Sequence, residues 1–134
     1  MQLLVWESRF NLGIKTFDNH HKRLVEIINN SYRAVQHNST HRIIILLDEL
    51  FDYAMYHFFA EEQLMRTHSD PALKDHSREH EEFLFHISAF KKSMTSKEPL
   101  YKVPVVVFLK EWFISHVLVV DREYVRLFDN KSKT

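Results

Sequence analysis

Apolar residues recur along this chain at steps of three and four, the pattern of helices with one buried face. Between Asp18 and Gln36, Leu24, Ile28, Tyr32 and Val35 form such a stripe. Asn38, Ser39 and Thr40 then make a short turn rich in N-cap residues. From Thr40 to Arg66 the stripe resumes through Ile43, Leu47, Leu50, Ala54 and His57. Thr67 to Pro71 breaks it again, and Asp70 before Pro71 reads as an N-cap followed by a first-turn proline. The third stretch, about 71–94, carries His80, Phe83, Ile87, Phe90 and Met94 on one face. Thr95 to Pro104, with Pro99 inside, is the longest loop, and a fourth stretch runs from Pro104 to about Asp129 with Val105, Leu109, Trp112 and His116 in phase. The pattern predicts an all-α chain with helices at about 18–36, 40–66, 71–94 and 104–129, behind an irregular N-terminal arm, residues 1–17. Short connections favour antiparallel neighbours. The expected architecture is an up-down-up-down four-helix bundle, one domain over residues 1–134, with Trp6 and Phe10 of the arm packed across one end.

Composition narrows the chemistry. A length of 134 residues suits one domain, and a hydrophobic content of 45% suffices for a packed core. The one glycine, Gly13, excludes glycine-rich phosphate loops and dinucleotide fingerprints. The absence of cysteine excludes disulfides, thiolate nucleophiles and iron–sulfur clusters. Basic and acidic residues balance at 18 each, so no nucleic-acid partner is expected. The apolar runs Ile43–Leu47 and Val105–Leu109 are far short of the ~18 residues that span a membrane, and Met1 to Phe10 does not read as a signal peptide. The expectation is a cytoplasmic chain with no membrane partner. Histidine changes the picture: there are 10, which points to imidazole chemistry and to metal.

Six polar residues lie in phase with the apolar stripes: His21 on the first helix, His57 and Glu61 at i, i+4 on the second, His76 and His80 at i, i+4 on the third, and His116 one turn after Trp112 on the fourth. Taken alone, each pair is an ordinary helix pair worth a few tenths of a kcal/mol, roughly 0.2–0.5. Polar side chains facing a core must be bonded to something, and five imidazoles do not readily satisfy one another without a cation. The remaining histidines, His20, His37, His41, His68 and His86, lie off the stripes or in loops and read as solvated surface. The ferritin-like di-metal pattern, with Glu-x-x-His on two helices, is not supplied by Glu79 or Glu111.

The strings Asp18-Asn19-His20-His21-Lys22, His57-Phe58-Phe59-Ala60-Glu61-Glu62, His76-Ser77-Arg78-Glu79-His80 and Trp112-Phe113-Ile114-Ser115-His116, followed by Asp121, resemble bacterial hemerythrin from Trp6 to about Phe128. The resemblance implies a non-haem di-iron centre, two iron ions per chain with an oxo or hydroxo bridge, that binds dioxygen reversibly. It places His76, His80 and His116 on one iron, His21 and His57 on the other, and Glu61 and Asp121 as bridges giving one oxygen to each. On that count the iron held by His21 and His57 has one coordination position open. Three positions depart from the family pattern: His20 stands where Gln is common, Asp70 where an aromatic residue is usual, and Phe113 where Leu is common.

These assignments carry two expectations. Phe58, Phe83, Trp112 and Phe113 line the oxygen pocket and keep water and proton donors away, with Phe58 as a wall beside the open position, which favours a carrier over an enzyme. His116 and Asp121 are five apart and would diverge by about 140° at ~100° per residue in a regular α-helix, so a π-type turn is expected there. Rival readings of the same site are an oxygen or redox sensor, a di-iron oxidase or peroxidase, and iron storage or nitric oxide binding.

Overall fold

The computed structural model describes residues 3–94 and 102–127. The predicted loop over 95–101 and the last residues of the predicted fourth helix lie outside them, as does the side chain of Val105. Four helices follow one another: α1 Lys15–Gln36, α2 Thr40–Thr67, α3 Leu73–Met94 and α4 Lys102–Ser115. α1 packs on α2 and α4, and α3 packs on α2 and α4, which closes the ring of a four-helix bundle. Among the described residues there is no strand, and no helix is long and apolar enough to cross a membrane.

Two boundaries differ from expectation. α1 begins three residues before the predicted start, at Lys15, and Asp18 lies in its first turn. Asp18 reaches back from the first turn, where its carboxylate accepts the amides of Leu12 at 2.8 Å and Gly13 at 3.2 Å, a position the helix dipole favours for an anion. Gly13 sits at φ +84°, where a side chain would be strained. α3 begins at Leu73, two residues after Pro71. Asp70 still caps it, since its carboxylate accepts the amide of Ala72 at 2.9 Å, with Pro71 and Ala72 forming a turn outside the helix.

The first two connections are short because one residue in each adopts the left-handed region. Asn38, at φ 53°, lets Ser39 N–H reach back to Ala34 C=O, and Ser69, at φ 51°, lets Asp70 N–H reach Met65 C=O. The core runs through Leu24, Ile27, Ile28, Ile43, Leu47, Leu50, Ala54, Ile87 and Leu109, all buried. The arm is fixed more firmly than its irregular sequence suggests. Asn29 accepts Leu4 N–H at 2.9 Å and donates to Leu4 C=O at 2.8 Å, both buried. Phe10 is 1% exposed and packs between Trp6 and Phe113, with ring centroids at 5.5 and 5.6 Å, so the arm does close one end of the bundle.

Past Ser115 the last helix widens. Residues His116–Val120 form a π turn, closed by a bond from Asp121 N–H to His116 C=O. A 3-10 turn, Asp121–Tyr124, succeeds it. This is the distortion that the five-residue spacing demanded.

Candidate metal centre

Each helix brings polar side chains to the interior near one end of the bundle. His21 on α1, His57 and Glu61 on α2, His76 and His80 on α3, and His116 and Asp121 on the widened end of α4 are all 3% exposed or less. Their ligating atoms form two overlapping groups. Glu61, His76, His80, His116 and Asp121 make one, His21, His57, Glu61 and Asp121 the other, and within each group the atoms lie within 4.8 Å of one another. The two carboxylates belong to both.

The carboxylates divide the imidazoles in different ways. One oxygen of Asp121, Oδ2, faces His21 Nε2 at 3.1 Å. The other, Oδ1, faces His76 Nε2 at 3.1 Å and His116 Nε2 at 2.9 Å. Asp121 thus spans the two groups with one oxygen each, as expected for a bridge. Glu61 spans them through a single atom: Oε1 lies 3.1 Å from His57 Nε2 and 3.3 Å from His80 Nε2. Its Oε2 accepts a hydrogen bond from the buried Tyr124 hydroxyl at 2.6 Å. Tyr124 thus holds the oxygen of Glu61 that faces away from both imidazoles.

Eight buried side-chain polar atoms among the described residues lack a hydrogen-bond partner, and seven belong to this cluster: both ring nitrogens of His21, Nε2 of His57 and of His76, Oε1 of Glu61 and both oxygens of Asp121. Buried polar groups are almost always satisfied. Apart from the contact of His80 Nε2 with His116 Nε2 at 3.2 Å, the facing nitrogens and oxygens of these five imidazoles and two carboxylates converge unpaired, which is what two shared cations would satisfy. Both carboxylates are anionic at neutral pH. Burial and the neighbouring Asp121 push Glu61 up, but His57 and His80 outweigh them and leave it at about 2. Asp121 is likewise held well below its usual range, with burial opposed by His116, His21 and His76. Burial pushes His116 down, yet Asp121 and Glu79 raise it to about 10.

Partners behind the ligands orient them. Glu62 takes His80 Nδ1 at 2.8 Å, and Glu79 takes His116 Nδ1 at 3.2 Å. His57 is backed differently, with its Nδ1 2.8 Å from Nδ1 of His20. His20 is therefore not the solvated residue its place off the apolar stripe suggested. It is 8% exposed, and burial with the neighbouring imidazoles His57 and His21 lowers its pKa to about 4. It was missed because α1 is covered by α2 on the side next to the ligand stripe.

The aromatic lining is also distributed differently from expectation. Phe58 stacks flat on His80, with centroids 3.8 Å apart and planes 5° apart, and Trp112 stacks on His116 at 4.2 Å and 12°. Phe83 packs against both Phe58 and Trp112. These three rings cover the three-histidine side. The ring of Phe58 also lies at a tilt beside that of His57, with centroids 6.0 Å apart. Phe113 does face that group, edge-on to His21 at 5.9 Å. Two further rings were not foreseen: Phe17, edge-on to His57 at 5.8 Å, and Tyr124, stacked on His76 at 5.9 Å. Phe17 is four residues before His21 and Tyr124 three after Asp121, and helical spacing from the ligands could have found both.

A helical bundle that aims two carboxylate-sharing histidine groups at its own interior is a two-cation binding protein. Residues 12–128 match the hemerythrin HHE cation binding domain, and the chain belongs to the hemerythrin family. Among its relatives are a bacteriohemerythrin of Clostridium acetobutylicum, 30% identical across 92% of this chain and 99% of that one, and one of Pseudomonas aeruginosa, 33% identical across 93% of this chain and 81% of that one. A crystal structure of wild-type hemerythrin superposes with a TM-score of 0.85, covering 92% of this chain and 96% of that one at 23% identity, which shows the shared fold.

Proposed function

We propose that this protein binds dioxygen reversibly at a non-haem di-iron centre, as a carrier, store or delivery protein rather than an enzyme, in the cytoplasm. The observation that carries the reading is the unequal donor count. Glu61 and Asp121 are common to both groups, but three imidazoles join one and two the other. The group of His21 and His57 therefore leaves more room for an exogenous ligand. Ferrous iron held by these residues would supply the electrons for holding dioxygen.

The protein's own residues govern the fate of the bound ligand. Phe58, Phe83 and Trp112 seal the three-histidine side against water. On the other side, Phe113 packs against His21 and is covered in turn by Phe10 of the arm. Tyr124 is the nearby hydroxyl, but burial and the charges of Glu61 and Asp121 raise its pKa well above the usual phenol range. It keeps its proton, donates it in a hydrogen bond to Glu61, and is a poor acid toward anything bound. Dry walls and a withheld proton favour release of dioxygen over its reduction.

The test is the absorption spectrum of the ferrous protein before air, in air and after air is removed. A coloured adduct that forms and disappears through several cycles supports the carrier. Irreversible conversion to a ferric form, or sustained consumption of reductant in air, overturns it in favour of an oxidase or peroxidase.

A further inference from the structure

A groove of about 580 Å³ opens on the surface where α1 meets α2, lined by His20, Arg23, Glu49, Asp52, Tyr53 and Tyr56. Its volume is that of a small-molecule site. Three of its residues are flat rings set against one another: His20 lies 6.0 Å from Tyr53 and 5.2 Å from Tyr56, and the two tyrosines are 5.8 Å apart. Tyr56 is 57% exposed. Arg23, also in the lining, is paired with Glu49 and Glu26. Asp52 brings a carboxylate that can accept from a phenolic O–H.

The groove does not end at its own wall. His20 touches His57, the residue assigned to the two-histidine group, through paired Nδ1 atoms 2.8 Å apart. His57 Nε2 faces Glu61, so a cation there takes that nitrogen's lone pair, and the imidazole proton sits on Nδ1. His57 then donates to His20, whose own proton is on Nε2. One hydrogen bond thus joins a lining residue of an aromatic groove to a metal-facing imidazole.

We infer that this groove binds a planar hydroquinone-type reductant, and that His20 and His57 carry its electrons to the centre. The inference rests on the di-iron reading, because a dioxygen carrier works only in the ferrous state and any ferric centre must be re-reduced. In that step a hydroquinone loses two electrons and both O–H protons and leaves as the quinone. Each of two ferric ions gains one electron, and the protons pass to water. Tyr53 and Tyr56 hold the ring, and Asp52 accepts a hydroxyl.

The experiment has a binding arm and a rate arm. 1,4-Dihydroxynaphthalene is titrated, without air, into the zinc-loaded protein, which cannot be reduced, and followed by NMR. Saturable shifts at His20, Tyr53 and Tyr56 are expected, and a loss of at least about tenfold in affinity in Tyr56→Ala. The diferric protein is then mixed with the same hydroquinone or with dithionite. Tyr56→Ala is expected to slow reduction by the hydroquinone about tenfold and leave the dithionite rate unchanged. His20→Gln is expected to keep binding yet slow reduction by the hydroquinone. Shifts that are absent or centred elsewhere overturn the inference, as do hydroquinone rates unchanged in Tyr56→Ala or slowed equally with dithionite. The zinc titration does not depend on dioxygen binding, so failure of the carrier reading is seen separately in the air-cycling spectra.

Discussion

Replacing Tyr124 by Phe removes one oxygen atom from the middle of the protein and almost nothing else. The ring keeps its place against Phe17 at 5.4 Å and His76 at 5.9 Å, so no cavity opens. What disappears is the hydroxyl that donates to Glu61 Oε2 at 2.6 Å, in a site where both residues are 0% exposed. A hydrogen bond to a buried charged group contributes about 1.5–3 kcal/mol, and its loss leaves the carboxylate oxygen unsatisfied. For a domain of this length each kcal/mol moves the melting temperature by about 3–5 °C, so metal-free Tyr124→Phe is expected to melt roughly 5–15 °C lower. Partners one shell behind a metal ligand typically change affinity by about 10–100-fold, and Glu61 is common to both groups, so both metals are expected to leave more readily. The assays are thermal unfolding of the metal-free protein and chelator competition on the loaded one. If Tyr124→Phe matches the parent in both, the hydroxyl does not hold Glu61, and the single-atom sharing of Glu61 by the two groups loses its cause.

Metal analysis of two variants checks the sharing itself: Glu61→Ala is expected to lose both irons and His21→Ala mainly one, and two firmly held irons in Glu61→Ala would refute the bridge. Phe58→Ala leaves a cavity and is expected to cost about 3–5 kcal/mol, measured by denaturant unfolding; because Phe58 covers the three-histidine side, decay of the air-exposed spectrum is expected to change less than in Phe113→Tyr, which adds a hydroxyl on the His21 side. The opposite order would make Phe58 the main wall of the open position. Asn29→Ala strips the partners from both backbone groups of Leu4 and is expected to cost about 2–4 kcal/mol, with faster limited proteolysis of the arm; an arm no more susceptible than in the parent would mean that Phe10 alone anchors it.

Much of the fold was legible because the helical stripes are unbroken and their punctuation is strong: Asn38-Ser39 and Ser69-Asp70-Pro71 mark real turns. Six of the seven polar residues were legible for the same reason, as they lie in phase with those stripes; Asp121, out of phase with His116 on a regular helix, came only from the resemblance, and the structure brings all seven together. What a single helix's periodicity does not report is the neighbour. His20 is one residue off its stripe and would face water on an isolated helix, but α2 covers that side. Phe58 comes directly after His57 in sequence, yet adjacent residues on a helix point about 100° apart, so its ring lies flat on His80 of α3 and only at a tilt beside His57. Tyr124 lies beyond the π turn, where counting by a regular helix fails. α1 started early because Asp18 works backward on Leu12 and Gly13, a contact between side chain and loop that apolar spacing does not record.

The bond from Asp121 N–H to His116 C=O also has a meaning for changes in chain length. A π turn is an α-helix that has absorbed one inserted residue without rotating the residues beyond it. Asp121, Tyr124 and Leu127 keep the phase they would have in a helix one residue shorter. A deletion within 117–120 would leave imidazole and carboxylate four apart, on one face of an ordinary helix, with Tyr124 still beneath Glu61. Ahead of the ligands within α1, α2 or α3, the loss or gain of one residue swings the later side chains of that helix by about 100° and takes its ligands off the site. Length variation among related chains is therefore tolerable at this turn, and an alignment that forbids a gap between the last histidine and the aspartate would misplace one of the two ligands.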